Sequence, residues 1–143
     1  MVSTANFGTP QRNVNGFDFR RLAMLLAVLE KRMDLVMGVK DVFINLVGGL
    51  KVDDPAADLS ILCAIASSFM DKPINENIVF IGEIGLAGEI RSISRLGHRL
   101  TEVEALGFSG AVFPAASMND KVKKSNLKIH PVTSVKKTFD ILF

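Results

Sequence analysis

The stretch from Pro55 to Met70 constrains the fold more than any other part of the chain. After Asp53 and Asp54 it carries Pro55, Ala56, Ala57, Leu59, Ile61, Leu62, Cys63, Ala64, Ile65, Ala66 and Phe69. Proline suits the first turn of a helix, where its missing N–H would have had no partner anyway. A helix is therefore predicted over about Ala56 to Met70. It is apolar on nearly every side, and such a helix must be central. Other elements have to cover it, which calls for a layered domain. At 143 residues the chain can remove about two-thirds of its unfolded surface from water without disulfides or metals as staples.

The rest of the pattern supplies the covering elements. Asp18 precedes Leu22, Leu25, Leu26, Leu29 and Met33, with Arg20, Arg21, Lys31 and Arg32 off the apolar stripe, which predicts an amphipathic first helix with Asp18 as its N-cap or first-turn acid. Strands are predicted over Asp41 to Val47, closed by Gly48-Gly49, and over Asn77 to Ile81, with a short return strand over Leu50 to Val52. Gly82, Gly85 and Gly88 suggest a strand, a tight turn and a further strand. A third helix from about Ser94 to Leu106 sets Leu96, Leu100 and Val103 on one face, with Gly107 as its C′ residue. Ala111 to Phe113 and Leu127 to Ile129 read as strands, and Val132 to Phe143 as a final helix. The first 16 residues contain Gly8, Pro10, Asn13, Asn15 and Gly16, the composition of an extended arm or linker, so the folded domain is placed at 17–143. The expected class is α+β, with helices packed on one sheet.

Several kinds of chemistry are disfavoured. Gly82, Gly85 and Gly88 lack the spacing of either common phosphate-binding loop, so no ATP site is expected in this chain. One cysteine, Cys63, and two histidines, His98 and His130, are too few for a soft-ligand zinc site. Cys63 lies within the apolar helix and is expected to fill core space. Asp53, Asp54 and Asp58 gather at the start of that helix, where carboxylates suit the helix dipole, and capping is preferred to a cation site. Neither a signal-peptide pattern nor a membrane-length apolar run is present, since the longest is Leu22 to Leu29, and a cytoplasmic location is expected.

Charge is more informative. Residues 1–71 carry seven basic and eight acidic side chains, and residues 72–143 carry ten and seven. Between Lys121 and Thr138 there are six lysines (Lys121, Lys123, Lys124, Lys128, Lys136 and Lys137) and no acid. Arg91, Arg95 and Arg99 follow one another at four-residue steps, a spacing that would stack them along the third helix and the turn before it. Groups of this kind attract nucleic-acid phosphates without reading sequence; a solvated surface is the alternative.

These residues also carry a family resemblance. From about residue 40 to 114 the chain resembles the proteolytic domain of Lon proteases, through Val42 to Val47, Asp53-Asp54-Pro55-Ala56-Ala57-Asp58 and Gly82-Glu83-Ile84-Gly85-Leu86-Ala87-Gly88-Glu89-Ile90. Along the whole chain it is similar to the C-terminal Lon-like domain of the bacterial RadA (Sms) DNA repair family. The lead-in Pro10-Gln11-Arg12-Asn13-Val14-Asn15-Gly16-Phe17-Asp18 carries this second likeness, with Arg21-Leu22, Ala27 to Arg32, Val47-Gly48-Gly49, Ala64 to Ser68 and Gly88-Glu89-Ile90-Arg91. The resemblance implies a Lon-type fold, like that of the second domain of a ribosomal small-subunit protein. Where Lon proteases have the nucleophilic serine this chain has Ala56, and the general-base lysine aligns with Gly97. An alanine methyl cannot attack a carbonyl and a glycine cannot take a proton, so no peptidase activity is expected.

The resemblance further implies an excised part of a hexameric RecA-like ATPase that extends recombination intermediates by branch migration. ATP, magnesium and zinc would then belong to upstream domains, with residues 1–16 leading from the ATPase core. Expected partners are single-stranded or branched DNA, further copies of the chain and the RecA recombinase, with no membrane. The candidate DNA contacts are Arg91, Arg95, Arg99 and the six lysines. Two alternatives stand beside this reading: a residual hydrolase using Ser60 or Ser92, and a purely structural oligomerisation domain.

Overall fold

Asp18 begins the first helix as its sequence position predicts: its carboxylate accepts from the Arg21 N–H, 2.8 Å away, at the head of α1 (Phe19–Met33). The computed structural model describes residues 1–5 and 8–143. Ahead of α1 lie β1 (Val2–Thr4) and β2 (Arg12–Asn15); after it come β3 (Lys40–Asn45), a 3-10 turn at Pro55–Ala57 and α2 (Asp58–Met70). Next follow β4 (Ile78–Phe80), β5 (Glu83–Ile84), β6 (Ile90–Arg91) and α3 (Leu96–Ala105). The chain ends with β7 (Gly110–Pro114), a 3-10 turn at Val122–Lys124, β8 (Lys128–Val132) and α4 (Val135–Leu142).

Helices and strands mix as an α+β chain should, but the strands form three small sheets where a single one was expected. One has the order β1-β3-β2, another β4-β7-β8, and β5 pairs with β6 as a hairpin. Two stretches from the expected arm pair with β3, β1 antiparallel and β2 parallel. They pair because β3 offers both of its edges and Val42 is fully buried between them. Leu50 to Val52, expected as a strand, is irregular. The Val52 N–H donates to the Gly16 carbonyl, and Leu50 is exposed.

The central helix is central. α2 packs against α1, β1, β4 and β5, and Leu59, Leu62, Cys63 and Ala66 have no exposed surface. Burial pushes the Cys63 thiol up to about 12, so it is a core filler with no thiolate character at neutral pH. β7 is buried on both faces because it runs between β4 and β8 with cores on either side. Val112 joins the main core, while Ala111 and Phe113 face a second core made with Leu96, Leu100, Val103, Val122 and Leu127. That alternation follows from the two-residue period of a strand. Gly107 ends α3 at φ +86°, as expected of a C′ glycine. Among the described residues no helix is long and apolar enough to cross a membrane.

Candidate nucleic-acid interface

Six exposed lysines stand on three elements. Lys121 leads into the 3-10 turn Val122–Lys124, which also carries Lys123 and Lys124. Val122 is buried inside this turn and Leu127 just after it, so the lysines between them are held at the surface by two apolar anchors. Lys128 opens β8, the edge strand of its sheet, and Lys136 and Lys137 lie on the exposed side of α4. Lys123 reaches Asp120 at 3.2 Å, both exposed; among the described residues the other five form no ion pair.

The arginines are not the aligned row expected from their four-residue steps. Arg91 lies in hairpin strand β6, where it pairs with Glu89 at 2.8 Å and approaches Glu83 at 3.8 Å. Arg95 adopts a left-handed backbone, φ 57°, immediately before α3, and its exposed side chain has no carboxylate partner among the described residues. Arg99 lies within α3 and is tied to Asp54 at 2.7 Å. A four-residue step aligns side chains only along continuous helix, and the entry to α3 is not helical: Arg91 lies in a strand and Arg95 has a left-handed backbone. α4 starts beside the hairpin, where the Val135 N–H donates to the Gly88 carbonyl, so Lys136 and Lys137 share that end of the molecule with Arg91.

Sequence reasoning missed a charged network that crosses the layers. Asp58 is fully buried and its carboxylate accepts from the Arg21 guanidinium through two nitrogens and from the Ile84 N–H. Hydrogen bonding to Asp58 raises the Arg21 pKa still further, and Arg21 also approaches Glu83 at 4.0 Å. The signal was present, since a charge on an otherwise apolar helix needs a partner; only its identity was illegible. Asp54 caps as expected, accepting from the Ala56 N–H at 2.9 Å, and that bond together with Arg99 holds its carboxyl below the usual carboxylate range.

The two positions compared with a Lon peptidase site line different cavities. Ala56 lines a cavity of about 180 Å³ with Ser92, Ser94, Glu83 and Arg99. Gly97 lines another, with Thr101, Glu104, Lys121, Lys124 and Ser125. A methyl group on Gly97 would touch Lys121, whose Cδ lies 3.1 Å from that point. Of the alternative nucleophiles, Ser60 donates its hydroxyl to the Ala57 carbonyl at 2.7 Å, and Ser92 is exposed at the rim of the Ala56 cavity. His98 is exposed on α3. His130, half-buried on β8, is held below its usual pKa by burial and by Lys128.

The family model described as "Subunit ChlI of Mg-chelatase" matches residues 7–117, and the chain belongs to that family. The more particular likeness is to proteins called DNA repair protein RadA, as the sequence motifs suggest. The Bacillus subtilis (strain 168) protein is 42% identical over 135 residues, 94% of this chain and 30% of the relative. That of Streptococcus pneumoniae is 37% identical over 143 residues, 100% of this chain and 34% of the relative. The Helicobacter pylori protein is 39% identical over 137 residues, 96% and 30% respectively. The chain spans about a third of the length of these curated relatives.

Proposed function

We propose that this chain is a non-peptidase, Lon-like domain that contacts DNA phosphates within a larger DNA repair ATPase. The observation that carries the reading is the run of six exposed lysines from Lys121 to Lys137, interrupted by no acid and, but for Lys123, without carboxylate partners among the described residues. The RadA names of the relatives supply the DNA repair context. In this reading the domain is a scaffold for a hexameric ring acting in branch migration. ATP, magnesium and zinc are bound by other domains, the RecA recombinase is a partner, and the location is cytoplasmic. Residues 1–16 link the domain to the ATPase core, and the small sheets with their helices are the Lon-type arrangement. Ala56 and Gly97 stand where a serine and a lysine would have worked, which favours a scaffold over a hydrolase.

The test is replacement of Lys121, Lys123 and Lys124 by glutamate. Retention on a labelled single-stranded or branched oligonucleotide is expected to fall by at least about tenfold, and the plot of log affinity against log salt to become shallower by about two to three units. Unchanged affinity would exclude this surface. A serine-reactive probe that labels Ser60 or Ser92 would favour the hydrolase alternative, and ring assembly by ultracentrifugation with no DNA shift would favour the oligomerisation domain.

A further inference from the structure

Beside its apolar anchors, the lysine turn is hydrogen-bonded to α3 through an acidic side chain, that of Glu104. Glu104, near the C-terminal end of α3, accepts through Oε1 from the Ser125 hydroxyl at 2.5 Å and from the Asn126 N–H at 2.9 Å. Ser125 passes the restraint on, since its Oγ accepts from the Leu127 N–H at 3.2 Å. Glu104 thus holds three consecutive residues directly after Lys123 and Lys124, and the cavity it lines is shared with Lys121 and Lys124. These same hydrogen bonds, from Ser125 first and then Asn126, keep its carboxyl below the usual range, so it is the acceptor form that sits there at neutral pH.

An acid at this place is electrostatically wrong for a surface that binds phosphates. Its charge opposes the approach of DNA, within a Debye length of two of the lysines that would attract it. Hydrogen bonding is what it contributes. We infer that Glu104 is a positioning residue for the DNA contact, fixing the Lys121–Lys124 turn through Ser125 and Asn126. The inference rests on the DNA-binding reading above and adds the residue that organises the surface.

The two roles predict opposite signs. If Glu104 acts only as a charge, Glu104→Ala tightens DNA binding; if it positions the turn, Glu104→Ala weakens binding about three- to tenfold despite removing a negative charge. Glu104→Gln keeps an oxygen acceptor and loses the charge, so it is expected to bind at least as well as the unmodified chain. Ser125→Ala removes one of the two bonds to Glu104 and is expected to fall between them, and it serves as the second variant if Glu104→Ala does not fold. Amide hydrogen exchange at Asn126 and Leu127, measured without DNA, is expected to accelerate in Glu104→Ala and to be unchanged in Glu104→Gln.

Binding of a fluorescent single-stranded oligonucleotide is measured for all variants beside the Lys121, Lys123 and Lys124 triple glutamate variant. If the triple variant binds weakly while Glu104→Ala binds as tightly as the unmodified chain or tighter, the positioning role is overturned and the DNA reading stands. If the triple variant binds normally, the DNA reading itself fails, and the positioning role with it, whatever exchange shows.

Discussion

Arg91 and Arg99 carry the same formal charge as Lys121 and Lys124, yet the two groups are used differently. Each of these guanidiniums is bound to a carboxylate, Arg91 to Glu89 two residues before it and Arg99 across elements to Asp54, as Arg21 is to buried Asp58. Lys121 and Lys124 reach into solvent from a turn anchored by apolar residues. A planar fork suits a fixed carboxylate, whereas an ammonium on a flexible stem suits a mobile or distant anion. Counting basic residues therefore overstates how much positive charge is available to a partner: the arginine side is largely neutralised within the fold, and the lysine side is not.

The widest gap between the two groups should be seen in stability. Asp58→Ala leaves the Arg21 guanidinium facing a buried void and the Ile84 N–H unpaired, and is expected to cost about 3 kcal/mol in urea denaturation. The triple lysine variant should change stability by less than about 1.5 kcal/mol, since the three ammonium groups are exposed and only the Lys121 stem lies against Gly97. A larger loss in the lysine variant would show that the turn is structural. DNA affinity should reverse the order. Arg91→Ala and Arg99→Ala are expected to weaken binding less than about threefold, because each guanidinium already has a carboxylate partner. A tenfold loss in either would show that the paired arginines contact DNA as the lysines do.

The smallest expected effect concerns the Arg99–Asp54 pair, which is half exposed. Arg99→Ala should cost less than about 1 kcal/mol. Because the folded-state pKa of Asp54 is lowered, the part of stability linked to its charge is fully present above the ordinary carboxylate range and is lost as pH falls through the lowered value. The difference in melting temperature between the unmodified chain and Arg99→Ala should therefore shrink on acidification, and a difference independent of pH would exclude the linkage.

Much of the fold was legible in the chain because its strongest signals are local. The apolar run after Pro55, the Asp18 cap, the heptad-like stripe of α1 and Gly107 each report on residues within one or two turns. What was illegible depended on distant partners. Whether Arg12 to Asn15 would pair with β3 is decided by residues some 30 positions away. The same holds for Arg21 with Asp58 and for Glu104 with Ser125, where no spacing rule connects the two residues. The lysine run was visible as a run, but the loss of Arg91 from the predicted row was hidden, because a four-residue step has meaning only once a helix is known to span it. No residue suggested the chelatase name attached to the matching family.

The pairing of strands far apart in sequence has a kinetic consequence. β2 joins β3, β4 joins β7 and β7 joins β8, all in parallel, so each pair requires a crossover before its first hydrogen bond can form. In addition, α4 closes against α1, bringing the last element of the chain onto the first helix. Loop-closure entropy must be met before any of these contacts is gained, which places the chain among slowly folding topologies, in milliseconds to seconds rather than microseconds. During synthesis the central α2 would be made well before β7, β8 and α4, so its apolar surface would have only part of its cover until the last residues emerged.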